Sequence, residues 1–373
     1  MNGYFDHNAT TPLHPAAREA WLRASEKHWH NPSSLYRDAG LASQQLEAAR
    51  ERLGTLIGAE AERIVFTSGA TESNNALFAM LSADQLVAIS AIEHPSVREA
   101  ARGRNVMELP VNADGVVEPD AVEGLILFKR PALVSVMAAN NESGTLQPWS
   151  EIAALCRKQG VLFHTDAAQW IGKLDATNLG ECDFITGSAH KFGGSKGCGF
   201  LMLPTEDSRL GFIRGGPQES GRRAGTENYP AIEAMVTALE TITPRLSEIE
   251  AVQSKLRDEF ITAMRARFNP LRVISESAPR LWNTVLMVMP EHDNLKWLTR
   301  LSRRGFSIST GSACSSGKEG SSVVVAALGA SAEDLKRVVR ISSGGDTTAA
   351  DWEALAAAFG EVFEELNRGG RPQ

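Results

Sequence analysis

The chain has 373 residues, 43% of them hydrophobic and 22% charged, with a formal net charge of −7. That is apolar material for a large core and length for two domains, while the negative balance excludes nucleic acid as a default partner. No apolar run is long and uninterrupted enough to span a bilayer, and no basic start with an apolar stretch marks a signal peptide.

Four cysteines, Cys156, Cys182, Cys198 and Cys314, have no CxxC or Cys/His spacing. A disulfide framework or zinc site is therefore not expected, and a cytoplasmic α/β enzyme is. A local basic pair, Arg222 and Arg223, is a candidate for holding a small anion.

In chain order, β-rich runs alternate with helical stretches. Strands are expected at 64–67, 86–90, 133–137, 161–164, 184–187 and 199–202, with helices at 71–81 and 150–159 among them. Near-continuous apolar strands separated by helices imply a mostly parallel sheet covered on both faces. From Ala231 a long helical pattern runs to Phe268, and Pro244 should kink or break it. A second domain is expected to follow: a strand at 284–288, a helix, the Gly/Ser-rich segment 309–322, a strand at 338–342 and a closing helix from 349 to 367. The Gly/Ser-rich segment contains Cys314 and reads as a mobile functional loop.

Three segments carry chemistry. Thr67-Ser68-Gly69-Ala70-Thr71-Glu72-Ser73 takes a strand through a glycine turn into a helix, whose first amides and the Thr71 hydroxyl suit a phosphate; alone, it reads equally as a capped turn. Asp166, in His164 to Gln169, follows a buried strand, where an ionised carboxylate facing a pyridine nitrogen keeps that nitrogen protonated; a helix cap is the plain alternative. Lys191, in Ser188-Ala189-His190-Lys191, follows the next strand, where a desolvated amine becomes an imine-forming nucleophile; lysine is more often solvated. A phosphate turn, then an Asp, then a Lys, each after a strand of one sheet, is the order that pyridoxal phosphate (PLP) requires.

Further segments join these: Asn8 to Pro12, Asn31 to Ser34, Glu93-His94, Asn140-Asn141-Glu142, Arg223 to Thr226 and Gly311 to Cys314. With them the chain, from Asn8 to Arg340, resembles the cysteine desulfurases of the NifS/IscS type, in the class V aminotransferase group of fold-type I PLP enzymes. The resemblance implies a large domain (13–245) with a mostly parallel seven-stranded sheet flanked by helices, and a smaller α+β domain (1–12 and 246–373) carrying the Cys314 loop. It assigns Lys191 as the Schiff-base lysine, His94 over the ring and active in proton transfer, and Asp166 at the pyridine nitrogen. Gln169 and Asn141 are expected near the ring hydroxyl, and Ala70, Thr71, Ser188 and His190 at the phosphate. Thr226 is expected to reach the phosphate of the other subunit of a homodimer. Arg340, a guanidinium suited to bidentate binding, is expected to hold the substrate carboxylate, with Asn31 also near substrate.

The implied reaction removes sulfur from L-cysteine, leaving L-alanine and a persulfide on Cys314. The sulfur then goes to an acceptor protein in iron–sulfur cluster assembly, tRNA thiolation or DNA phosphorothioation. Cys314 among Gly and Ser argues against a plain aminotransferase. Selenocysteine lyase stays as an alternative, and a catalytically silent PLP-fold binding partner is countered by Lys191, Asp166, His94 and Cys314. Departures from the family pattern are Gly193 to Lys196 after the lysine, no Pro in 318–322, and Ala326; none touches the implied chemistry.

Overall fold

The structure, a computed structural model, describes residues 3–205, 210, 212–311 and 322–368. The expectations placed on Cys314 and its immediate neighbours lie outside the described residues.

The strands are β1 (Ile64–Thr67), β2 (Leu86–Ser90), β3 (Asn105–Leu109), β4 (Leu133–Ser135), β5 (Leu162–Asp166), β6 (Phe184–Ser188), β7 (Gly199–Met202), β8 (Arg272–Val273), β9 (Thr284–Val288) and β10 (Val338–Ser342). The helices are α1 (Pro15–Lys27), α2 (Arg37–Ile57), α3 (Ala70–Met80), α4 (Pro95–Ala100), α5 (Pro119–Lys129), α6 (Trp149–Gln159), α7 (Tyr229–Ile242), α8 (Leu246–Arg267), α9 (Asn294–Arg303), α10 (Val323–Ala327), α11 (Ala332–Leu335) and α12 (Ala349–Arg368).

Seven strands form one sheet in the order β1-β7-β6-β5-β4-β2-β3. From β3 to β6 every pairing is parallel, and β7 alone is reversed, antiparallel to both β6 and β1. The central strands are apolar without alternation and buried throughout because helices cover both faces. β3, which the apolar-run pattern did not reveal, is the edge: Asn105 and Glu108 are exposed and the strand alternates only weakly. β4 stops at Ser135, two residues early, and β5 extends to Asp166, two residues beyond the apolar run. Pairing of His164, Thr165 and Asp166 with β6 is what carries β5 that far.

Pro244 acts as expected. α7 ends at Ile242, the turn 243–245 is a 3₁₀ helix with the proline in its first turn, and α8 starts at Leu246. α8, α9 and α12 then pack with a three-stranded antiparallel sheet, β10-β9-β8, around Phe260, Val285, Met287, Trp297, Val339, Trp352 and Phe359. The chain's first segment joins this second core: Phe5 is buried in it, the Phe5 amide donates to Ser307 O at 2.8 Å, and the Ser342 amide donates to Phe5 O at 2.8 Å.

Inside the main sheet one buried histidine is fully paired, while the neighbouring Thr165 hydroxyl has no partner among the described residues. His164 on β5 lies between Ser135 Oγ (2.8 Å) and Thr186 Oγ1 (3.1 Å), one ring nitrogen to each neighbouring strand. Burial pushes its imidazole down to about 4, against some opposition from Asp166. An unfolded histidine titrates near 6.5, so below that pH the unfolded chain binds a proton that the folded chain does not. Stability from this group is therefore present above about pH 6.5 and lost as pH falls towards 4, by about 3 kcal/mol in all. Buried Glu93, pushed up to about 8, titrates in the opposite sense over an overlapping range. The measurement is thus a comparison: urea unfolding of wild type against His164→Gln, with wild type losing ground between pH 7 and pH 4.

Candidate active site

The parallel strands deliver their side chains to one cavity of about 490 Å³. It lies beyond their carboxyl ends, where ligands of open α/β sheets bind. Each wall comes from a loop that leaves a strand: 68–72 after β1, His94 after β2, Asn141 and Glu142 after β4, Asp166 to Gln169 at the end of β5, and Ser188 to Lys191 after β6. Asn8, Ala9 and Thr10 close it from the N-terminal segment, and Gly311 and Arg340 from the side of the second sheet.

The β1 loop turns through Gly69 at φ 145°, a conformation that β-carbons disfavour, and enters α3 at Ala70. The first amides of that helix have no acceptor within it and face the cavity rim. Glu72 accepts from the Ser68 amide at 2.8 Å and pairs with Arg223 at 2.9 Å, which fixes the loop. Ser188 and His190 line the opposite wall of this end. His190 Nδ1 meets Thr10 Oγ1 at 3.1 Å, and burial together with Lys191 and Lys196 pushes its imidazole down to about 4. The ring is neutral at physiological pH and can still offer a hydrogen bond.

Asp166 is buried at the end of β5. Its Oδ1 accepts from the Ala168 amide at 3.0 Å and its Oδ2 from Asn74 Nδ2 at 3.0 Å. Asn74 also donates to Ser96 Oγ at 2.9 Å, and Ser96 Oγ lies 2.8 Å from His94 Nδ1. His94 caps α4 by accepting from the Ser96 amide at 3.1 Å. A backbone amide can only donate, so Nδ1 is the acceptor and the neutral ring carries its proton on Nε2. Burial lowers the His94 pKa, an effect that Lys191 adds to and Asp166 opposes.

Lys191 sits at the end of a single 3₁₀ turn (189–191) after β6. Its Nζ donates to Asn8 O at 2.6 Å and Ala9 O at 2.9 Å. Gln169 Nε2 donates to the same Asn8 carbonyl at 2.9 Å. Arg340, on β10, is almost wholly buried: Nη1 donates to Asn141 O (2.9 Å) and Gly311 O (3.0 Å), and Nη2 pairs with Asp6 Oδ1 at 2.6 Å. Its Nε is also buried and has no acceptor among the described residues.

Thus Ala70, Thr71, His94, Asn141, Asp166, Gln169, Ser188, His190, Lys191 and Arg340 converge on one cavity. Asn31 does not join them: it is exposed, and its Oδ1 accepts from the Ser33 amide at 2.9 Å in a local turn. Thr226 is exposed and lies away from its own chain's cavity. Nor is the pair Arg222 and Arg223 an open anion site, because Arg222 is buried on the carbonyls of Glu219 and Glu62 and Arg223 is held by Glu72.

Residues the sequence reading gave no role also prove to be part of the site. Asn74 and Ser96 link Asp166 to His94, and Lys173 stands behind Gln169. Glu142 lines the cavity and accepts from Ser322 Oγ at 2.5 Å, so it meets the chain just after the undescribed 312–321 stretch; Gly311, just before it, also lines the cavity. The Asn140-Asn141-Glu142 run was the only signal for Glu142, and nothing local marks the others.

The donor set fits PLP. A helix N-terminus with Ser188 and His190 suits the dianion, a carboxylate anchored by two N–H groups suits the pyridinium, and an amine suits the aldehyde. Among the described residues no cysteine lines this cavity and no metal-binding cluster is present; Glu72, Glu142 and Lys196 are the further ionisable groups on its wall.

Comparisons with known proteins agree with this geometry. The family profile described as "Aminotransferase class-V" matches residues 3–355. A "Cysteine desulfurase" of Cereibacter sphaeroides is 36% identical over 375 residues, covering 97% of this chain and 96% of that protein. Among solved structures, a "NifS-like protein" superposes with a TM-score of 0.89 at 30% identity, covering 98% of this chain and all of its own. Another, "SspA in complex with cysteine", gives a TM-score of 0.80 at 31% identity over 91% of this chain and 98% of its own.

Proposed function

The chain belongs to the class V aminotransferase family, and from that premise we infer a PLP-dependent cysteine desulfurase that takes sulfur from L-cysteine and leaves L-alanine. One observation carries the reading: Lys191, Asp166 and the N-terminus of α3 meet in a single cavity walled by Arg340.

Bound there, PLP supplies an electron sink for the charge left when the substrate α-carbon loses its proton. The protein's residues do the rest. The first amides of α3, with Thr71, Ser188 and His190, hold the phosphate. Asp166, kept in place by Asn74 and Ala168, holds the proton on the pyridine nitrogen. Gln169 and Asn141 flank the ring hydroxyl. Arg340 takes the substrate carboxylate at the cavity wall, its guanidinium braced by Asp6, Asn141 and Gly311. Lys191 accepts the α-proton at Nζ while the Asn8 and Ala9 carbonyls direct it. His94 holds a proton at Nε2, ready to be given up or exchanged. The Cys314 thiolate then attacks the substrate sulfur: the S–S bond forms as the substrate Cβ–S bond breaks, the electron pair stays with the carbon fragment, and protonation of that fragment yields L-alanine while the sulfur remains as a persulfide.

We extend the reading to residues 13–245 as the PLP-binding domain, with 1–12 and 246–373 as the smaller one, and to a homodimer in which Thr226 serves the partner's phosphate. The exposure of Thr226, and of Trp29, Leu35 and Tyr36 near α1 and α2, supports a covering partner. An acceptor protein receives the sulfur. A reducing, cytoplasmic setting is supported by the free thiols of Cys156, Cys182 and Cys198. Among the described residues no helix is long and apolar enough to cross a membrane.

The test gives purified, PLP-loaded protein L-cysteine and a thiol reductant and measures both products. Alanine and sulfide should appear in equal amounts, and with selenocysteine as competitor their yield should stay within an order of magnitude. Protein that binds no PLP, or forms no alanine, overturns the reading.

A further inference from the structure

Lys173 is a lysine in an unusual place. It is 3% exposed, in the turn that follows Gln169, and no carboxylate among the described residues lies within ion-pair distance of its nitrogen. A buried amine without a counter-charge is costly, and a methionine would fill the same space without that cost. Burial, with Lys191 and Arg340 nearby, holds its pKa well below the usual lysine range.

What the amine touches is specific. Lys173 Nζ donates to Asn8 Oδ1 at 2.9 Å and, more closely, to Gln169 Oε1. Both partners are side-chain amide oxygens, which can only accept. The contacts leave one orientation for each amide. With Oε1 held by Lys173, the Gln169 Nε2 must point the other way, to the cavity and the Asn8 carbonyl at 2.9 Å. With Asn8 Oδ1 held by Lys173 and Asn283 (2.9 Å), Asn8 Nδ2 must face Thr284 Oγ1 (2.9 Å) and Asn141 O (3.2 Å). The Asn8 backbone carbonyl then remains against Lys191 at 2.6 Å. The turn is pressed there by Gly172, at φ 77°: a β-carbon at that position would lie 2.2 Å from Phe192 Cβ, next to Lys191.

We propose that Lys173 is a positioning residue for the cofactor site: it fixes which end of the Gln169 amide faces the cavity, and through Asn8 it fixes the carbonyl that steers Lys191. It does not line the PLP cavity itself. A donor can only be met by an acceptor, so Lys173 decides the direction of two side chains whose oxygen and nitrogen ends are otherwise interchangeable in shape. The Gln169 N–H is thereby offered to an anionic ring oxygen. The inference rests on the reading that PLP occupies this cavity.

The experiment is a double-mutant cycle on the full chain with Lys173→Met and Gln169→Leu, read by the dissociation constant for PLP and by the visible circular dichroism of the bound cofactor. Lys173→Met should weaken PLP about tenfold and alter the dichroism, the loss expected when a hydrogen bond to a charged group is misdirected. Gln169→Leu should weaken it similarly, and the double variant should fall well short of the product of the two losses, since both changes remove the Gln169 contact and only the Asn8 route is left to add. Losses that multiply to about a hundredfold, an unchanged Lys173→Met, or a Lys173→Met chain that does not fold would each overturn the proposal in favour of a lysine that is only structural. If wild type binds no PLP, it is the functional reading that fails; if wild type binds and Lys173→Met binds as tightly, only this inference does.

Discussion

Lys191→Ala is expected to lower turnover of L-cysteine by roughly four orders of magnitude or more, the scale on which loss of a covalent nucleophile is felt, with the far-ultraviolet circular dichroism unchanged. The side chain stands at the end of a short turn rather than within the packed sheet, so truncation removes the amine without opening the core. What is lost is twofold. The amine that joins the cofactor aldehyde is gone, and so is the base held by the Asn8 and Ala9 carbonyls. Among the described residues the only other lysine on the cavity wall, Lys196, is exposed and follows the turn at Gly193 and Gly194. Borohydride reduction followed by peptide mass spectrometry should find PLP fixed to the Lys191 peptide in wild type and to no peptide in the variant. Turnover retained by Lys191→Ala would refute the assignment.

Cys314→Ala is expected to bind PLP as wild type does and yet release alanine and sulfide at least about a thousandfold more slowly. The argument is partly one of elimination. Cys156, Cys182 and Cys198 are buried, burial pushes each thiol up to about 12, and none lines the cavity. At neutral pH such a thiol is ionised in fewer than about one molecule in ten thousand, so none can supply the attacking thiolate. Gly311, three positions before Cys314, lines the cavity, and Ser322 beyond it is bound to Glu142 on the wall. Single-turnover mixing with L-cysteine, followed by trapping of persulfide with an alkylating agent, measures the step directly. Full activity in Cys314→Ala would remove the persulfide from the mechanism.

Much of this site was legible because its chemistry follows strands. Asp166 and Lys191 each lie within four residues of a buried apolar run, and a run of that kind announces both the strand and where it ends. Ala70 and Thr71 were marked by the glycine ahead of them. What escaped is what folding alone brings together. Asn74 reaches Asp166 across 92 positions, Lys173 reaches Asn8 across 165, and Thr284 reaches Asn8 across 276. No periodicity or turn signal encodes such pairs. Asn31 stands apart from the cavity of its own chain: its Asn-Pro-Ser-Ser run is a local turn in which the Ser33 amide donates to its side chain. Strand β3 escaped because an edge strand needs only one apolar flank.

Asn8 has a further implication. It is buried, its amide donates to Ser342 Oγ, and its side chain is held by Asn283 and Thr284, while its carbonyl faces Lys191. Asn8 thus waits for partners that lie 275 to 334 positions later in the sequence. A nascent chain can assemble the parallel strands and place Asp166 and Lys191 while translation continues, but the carbonyl that steers the lysine, and Arg340 itself, take their places only after β10 has emerged. Cofactor capture in its final geometry therefore waits for β10, and a chain interrupted before it carries the lysine without the means to use it.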